Sequence, residues 1–440
     1  MSPQYPPLVR VPPPGPRSRE LSARLAAVES PSVDARRKSR AQAAGADPTP
    51  IVYARADGVN VVDVDGNLYV DLAAGFGSLL LGHRPRRVAQ SIEQQEQSLW
   101  LALGDVYASE AKLGVCERLA GLYPREGARV ILGLSGADAI TAAMKSAVLA
   151  TGRAGILAFE GSYHGLSHGP LAACGLRETF RLPFAQQLNP RVTFAPYPYD
   201  GPSLDGAMTI VHSALTGGEV GAVFVEPVLG RGGCVVPPRE FLPMLAQACG
   251  RAGSLLVSDE IWTGLGRSGA WLASVEGGAI PDLVCLGKGL GSGLPISACI
   301  GSASVMAAWG AHGGATIHTA THFGGPVACA AAVATLEAIE EAGLVERAQT
   351  VGEAFLRQVR QTTLGRGVRE VRGCGLMIGV LLEGGAERAL EVTRRLLGRG
   401  WIVLTGGAAG DVLTLTPPLD IEESLLLDFA DALAEALVAR

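Results

Sequence analysis

Six short, largely apolar runs, at 129–134, 155–160, 222–226, 254–258, 283–286 and 298–301, alternate with stretches of helical spacing. Runs that are apolar at nearly every position leave no wet face, so the pattern predicts a mostly parallel sheet covered by helices. Upstream, VYARADGVNVVDVDGNLYVDL reads as one strand, a turn at Asp65-Gly66 and a second strand. After Pro326 a helix is expected to about Glu341, then strands at 376–382 and 412–415 and helices ending near Ala439. The expected fold class is α/β: a large domain over 101–325, and a smaller α+β domain built from both chain ends, 51–100 and 326–440. Residues 1–50 read as an arm, partly disordered or with a short helix over 18–29. Pro12 to Pro14 and the polar run Arg36 to Arg40 are expected not to pack.

Composition narrows the class. With 48% hydrophobic and 18% charged residues, the 440-residue chain can bury a large core. A net charge of −5 gives no basic field for nucleic acid. No apolar run reaches the roughly 18 to 20 residues that cross a bilayer, and the Pro-rich N-terminus lacks a secretory core. Eight scattered cysteines without a C-x-x-C pair read as reduced thiols, so a cytoplasmic protein is expected. Lysine occurs only at Lys38, Lys112, Lys145 and Lys288, leaving few places for a catalytic amine.

One of the four stands beside a carboxylate-bearing segment. In SLLVSDEIWTGLGRSG an apolar strand ends at Ser258 with Asp259 following, and in LVCLGKGLGSGLP a second strand ends in a charge, Lys288, between Gly287 and Gly289. Ligands of open α/β sheets gather at such carboxyl ends. An amine partly desolvated there is nucleophilic enough for a Schiff base, and a carboxylate opposite can serve a protonatable pyridine nitrogen. Ser135-Gly136-Ala137, where a strand runs into a helix, offers backbone N–H groups to an anion. The turn Gly161-Ser162-Tyr163-His164-Gly165 adds an aromatic face. Taken singly, each also reads as an ion pair, a helix cap or a glycine turn.

In order, DVDGNLYVDL, LGH, SGADA, Tyr163-His164-Gly165, AVFVEPVLGRGG, SDEIWTGLGRSG, LGKGLGSGLPISA, THFGGPVACAAAVATLE and TPPL resemble the class III, fold-type I pyridoxal-phosphate aminotransferases, from about residue 50 to 420. The resemblance implies that Lys288 forms the Schiff base with pyridoxal 5'-phosphate and moves a proton, and that Asp259 keeps the pyridine nitrogen protonated. It implies that Tyr163 stacks on the ring, that Ser135, Gly136 and Ala137 cradle the phosphate, and that Glu226 and His164 sit near the cofactor. Thr321, in Thr-x-x-Gly-x-Pro form, would reach the partner subunit's phosphate, implying a homodimer with shared sites.

Departures from the family pattern concern substrate. Leu166 stands where many members carry a carboxylate-clamping arginine after the aromatic-x-Gly turn. Thr414 replaces the arginine three residues before Pro-Pro-Leu, and Arg231 falls where that arginine's glutamate partner is common. Arg231 is therefore expected to take over carboxylate recognition. Trp262 replaces a frequent glutamine, and with Phe76 and Leu166 it suggests a pocket favouring a neutral or apolar substrate part. The implied activity is transfer of an amino group from an amine or amino acid to a 2-oxo acid by a ping-pong route. A racemase, epimerase or aminomutase uses the same lysine and aspartate and is the alternative. A nicotinamide oxidoreductase is disfavoured, since five residues, Asp259 to Thr263, lie between Ser258 and the first glycine of Gly264-x-Gly266-x-x-Gly269. The seven histidines lack zinc spacing.

Overall fold

Residues 3–43, 47, 49–104, 106–311 and 314–438 are described in the structure, a computed structural model. The apolar runs form a seven-stranded sheet in the order Arg129–Gly133, Ser297–Gly301, Leu283–Leu286, Leu255–Asp259, Val220–Val225, Gly155–Phe159, Val192–Ala195. From Leu283–Leu286 to Val192–Ala195 all neighbours are parallel, and only Ser297–Gly301 runs antiparallel to the strands flanking it. Alternate residues feed two separate cores. Leu157, Phe159, Val223 and Val225 pack with Phe241, Leu245 and Met208 on one face. Ile156, Ala158, Ala222 and Phe224 pack with Ala139, Ala143 and Ala147 on the other. Helix Gly136–Thr151 is alanine-rich on the buried side, which lets it lie close against the sheet.

A smaller sheet joins both chain ends: Tyr53–Asp57, Asn60–Asp63, Leu68–Asp71 and, parallel to the last, Trp401–Ile402. The single strand expected before Asp65-Gly66 is in fact two. Gly58, at φ 53°, breaks it and reverses the chain. A third sheet holds Val368–Cys374, Met377–Leu382, Val412–Leu415 and Leu404–Gly406. Four strands escaped the sequence reading. Val192–Ala195 is a short edge strand, Val368–Cys374 is largely polar, and Trp401–Ile402 and Leu404–Gly406 have only two and three residues. Helix Pro326–Glu341 has its expected bounds; the chain end near Ala439 lies outside the described residues.

The N-terminal segment is docked, contrary to the expectation that it would not pack. Leu8 pairs with Leu68, and the Asn67 side chain accepts from the N–H groups of Arg10 and Val11 at 2.8 and 2.9 Å. Pro14 and Gly15 are buried. Asp65 accepts from the backbone of Arg17 and Ser18, capping helix Pro16–Ala26 from outside its own sequence. A proline-rich stretch has few N–H groups to satisfy, and the Asp65-Gly66-Asn67 turn supplies acceptors for those that remain. A second, unexpected helix, Pro31–Ala43, contains the polar run; side chains at 36 and 40–43 lie outside the described set.

Candidate active site

The parallel strands deliver the chemistry to their carboxyl ends. Asp259 closes Leu255–Asp259, Glu226 follows Val220–Val225, the Tyr163-His164 turn follows Gly155–Phe159, and Lys288 follows Leu283–Leu286 after one glycine. Because Leu255–Asp259 and Leu283–Leu286 are neighbours, Asp259 and Lys288 start from adjacent strands. Lys288 adopts φ 37°, in the left-handed region, which costs a non-glycine residue on the order of 1–3 kcal/mol.

Asp259 is buried. Its Oδ2 lies 2.7 Å from His164 Nδ1, and its Oδ1 accepts from Ile261 N–H at 3.1 Å. Buried Glu226 accepts from Tyr163 N–H at 2.7 Å and Gly230 N–H at 2.9 Å, tying two loops together. Burial and the Asp259 charge push its carboxyl up to about 7, against the pull of His164 and the two N–H bonds. Burial opposes charge on His164, but Asp259, with Glu226 behind it, raises its pKa. Lys288 Nζ lies 4.3 Å from the Trp262 ring centroid. Burial lowers its pKa to about 8, offset in part by Asp259 and Glu226 and reinforced by Arg231.

At the sheet edge Ser135 caps helix Gly136–Thr151 in a reciprocal pair with Asp138. The hydroxyl and N–H of Ser135 are both engaged by the Asp138 carboxylate, so the N–H groups aimed outward are those of Gly136 and Ala137. A β-carbon at Gly287 would lie 3.6 Å from Gly136 Cα, so the lysine loop touches this helix start. Thr321 is exposed and stands apart from these contacts.

The five residues singled out for substrate share one cavity of about 570 Å³, lined by Phe76, Leu166, Arg231, Trp262 and Thr414. Arg231 Cζ lies 4.6 Å from the Tyr163 ring centroid, covering one face. Phe76 and Leu166 are exposed, Trp262 and Thr414 buried. Phe76 holds φ 62°. Arg177, Ser39 and Glu387 also line the cavity, and none of them lies in a motif that marks it. Also unanticipated is the role of buried Glu260, which binds Thr263, Ala273 and Ser274 and braces the loop after Asp259.

The residues present fit a phosphorylated pyridine aldehyde. They combine a buried carboxylate, a half-buried amine of lowered pKa and two outward N–H groups at a helix start, and His164 Nε2 and Trp262 Nε1 are buried polar atoms without a partner among the described residues. Fold and site together define a fold-type I pyridoxal-phosphate enzyme. Residues 41–437 match the family described as "Aminotransferase class-III", and the chain belongs to that family; it is a pyridoxal-phosphate-dependent transaminase. It is 37% identical over 392 residues to an acetylornithine aminotransferase of Mycobacterium tuberculosis, covering 88% of this chain and 92% of that protein. An alanine/serine racemase of Pyrococcus horikoshii is 34% identical over 440 residues, with 94% and 89% covered. A PLP-bound amine transaminase from an uncultivated Pseudomonas species superposes with a TM-score of 0.81 at 30% identity, covering 89% of this chain and 94% of that one.

Proposed function

We propose that the chain exchanges an amino group between an amino acid or amine and a 2-oxo acid, in two half-reactions at one site, with Lys288 and Asp259 as its catalytic residues. The observation that carries this reading is their placement: a His164-held carboxylate and a lowered-pKa amine at the carboxyl ends of adjacent parallel strands. Pyridoxal phosphate, when bound, supplies the electron sink that accepts the pair left by a broken Cα–H bond. Lys288 Nζ would hold the cofactor through its amine and would move the proton at the substrate Cα. Asp259 holds a proton on the pyridine nitrogen and His164 fixes its orientation. Tyr163, with Arg231 against its ring, would stack on the cofactor, and the Gly136 and Ala137 N–H groups beside Ser135 would hold its phosphate. Glu226 keeps the Tyr163 turn and the Arg231 loop in register. Arg231 takes the substrate carboxylate, with Phe76, Leu166, Trp262 and Thr414 shaping the space beside it.

Residues 101–325 act as the cofactor domain, and 51–100 with 326–440 as the smaller one. The working form is a cytoplasmic homodimer in which Thr321 reaches the partner's phosphate. Support comes from the exposed apolar run Leu99, Trp100, Leu101, Leu103, Val106 and Tyr107, with Trp100 and Tyr107 each 70% exposed, and from eight free cysteines. No described helix is long and apolar enough to cross a membrane. The test is a half-reaction screen: the cofactor spectrum of the holoenzyme is followed against a panel of amino acids and amines without oxo acid. Conversion to the aminated cofactor is expected. A racemase is the second reading, favoured by the Pyrococcus relative and the loss of the Glu/Arg pair at Arg231 and Thr414. Solvent deuterium entering Cα with no aminated cofactor would select it.

A further inference from the structure

We infer that Arg177 is a second anion anchor at the outer end of the cavity, selecting substrates that carry a distal carboxylate in addition to the one beside the reacting carbon. The inference rests on the transaminase reading and extends it to substrate class. The inner end of the cavity is marked by Arg231 and by Trp262, which touches Lys288. Its outer end is marked by exposed Arg177 on the segment before Phe180. One glycine-rich hairpin, between Leu404–Gly406 and Val412–Leu415, holds both guanidinium-bearing segments. Gly407 N–H donates to the Arg231 carbonyl at 2.9 Å, and Arg177 Nε donates to the Ala408 carbonyl at 3.0 Å.

With Nε so fixed, the terminal nitrogens of Arg177 face the cavity wall at Gly410, where a β-carbon would sit 3.8 Å from Nη2. Among the described residues no carboxylate forms an ion pair with Arg177 or Arg231. The lining they share includes the apolar Phe76, Leu166 and Leu176. Two cations on one partly apolar lining complement a short chain with a carboxylate at each end, and a cavity of about 570 Å³ holds such a molecule. This departs from the expectation, drawn from Phe76, Leu166 and Trp262, of a pocket favouring a neutral or apolar substrate part. The lost arginines are replaced from elsewhere in the chain. Glu387, also on the rim, works against a distal anion and sets the level Arg177 must exceed.

Holoenzymes with wild-type sequence, Arg177→Gln, Arg177→Lys and Glu387→Gln are compared using 2-oxoglutarate and pyruvate as acceptors. Binding of glutarate, which cannot react, is measured by calorimetry. Arg177→Gln is expected to raise KM for 2-oxoglutarate and weaken glutarate by about tenfold or more, with kcat and the pyruvate KM changed less than about twofold. Arg177→Lys should recover part of the loss, and Glu387→Gln should tighten glutarate. Equal effects of Arg177→Gln on both acceptors, or unchanged glutarate affinity, overturn the inference, as does wild-type enzyme that binds no glutarate. If neither acceptor turns over but glutarate binding depends on Arg177, the transaminase reading fails and the anchor stands.

Discussion

His164 Nδ1 and Asp259 Oδ2 lie 2.7 Å apart between two buried side chains, and this contact joins the Tyr163 turn to the end of strand Leu255–Asp259. A buried carboxylate with two partners has one orientation, and losing one partner frees it to rotate or admit water.

Replacing His164 with Ala is expected to lower kcat/KM by roughly tenfold or more, with His164→Asn restoring part of it because an amide can still donate to Asp259. Asp259→Asn should cost more, roughly 10²–10⁴-fold, since it removes the charge itself. Steady-state kinetics and the cofactor absorbance spectrum check both. A His164→Ala enzyme with unchanged spectrum and rate would show that the contact only stabilises the fold.

Lys288 should show its lowered pKa directly. Below about 8 its amine is protonated and cannot attack an aldehyde; above it the neutral amine dominates. The rate at which apo-protein forms a Schiff base with added pyridoxal phosphate is therefore expected to rise with pH and reach half its maximum near 8. An ordinary lysine would put that midpoint near 10.4. Lys288→Ala should abolish turnover and borohydride labelling together; substantial residual turnover would overturn the assignment of the catalytic amine.

Much of this was legible in the sequence, and the parts that were not have physical reasons. The parallel strands were readable because Val220–Val225 and Leu283–Leu286 are buried at every position, a pattern only an interior strand allows. Asp259 and Lys288 were readable because strand ends are where charge and apolar run meet. Tertiary capture was not. Nothing local in Pro12 to Pro14 shows that Asp65 and Asn67 wait for its neighbours' N–H groups. Arg177 has no signal in its own segment either, since it reaches the cavity only through a hairpin more than 200 residues away, at Ala408. The dipeptide Asp259-Glu260 hides opposite duties, one acid facing the site and the other bound to Thr263 and Ser274 beneath it.

Close packing around Trp262 gives a stability prediction. A β-carbon at Gly230 would lie 2.4 Å from Trp262 Cε3, and one at Gly77, itself at φ 76°, would lie 2.3 Å from its Nε1. Gly230→Ala must therefore move the indole that touches Lys288, with an expected loss of about 1–3 kcal/mol in thermal or denaturant unfolding. The displaced ring should also alter acceptor KM. An unchanged unfolding midpoint for Gly230→Ala would mean that the loop yields without cost.

Arg231→Leu separates recognition from electrostatics within one substitution. If Arg231 binds the substrate carboxylate, KM for the oxo acid should rise about tenfold or more, because a bidentate charge-assisted contact is lost from a partly desolvated wall. The same change removes a positive charge that depresses the Lys288 pKa, so the midpoint of Schiff-base formation should move above about 8. The signs of the two effects are independent. An unchanged KM with a raised midpoint would leave Arg231 as a field source stacked on Tyr163. A raised KM with an unmoved midpoint would confine it to binding, and no change in either would remove it from the site.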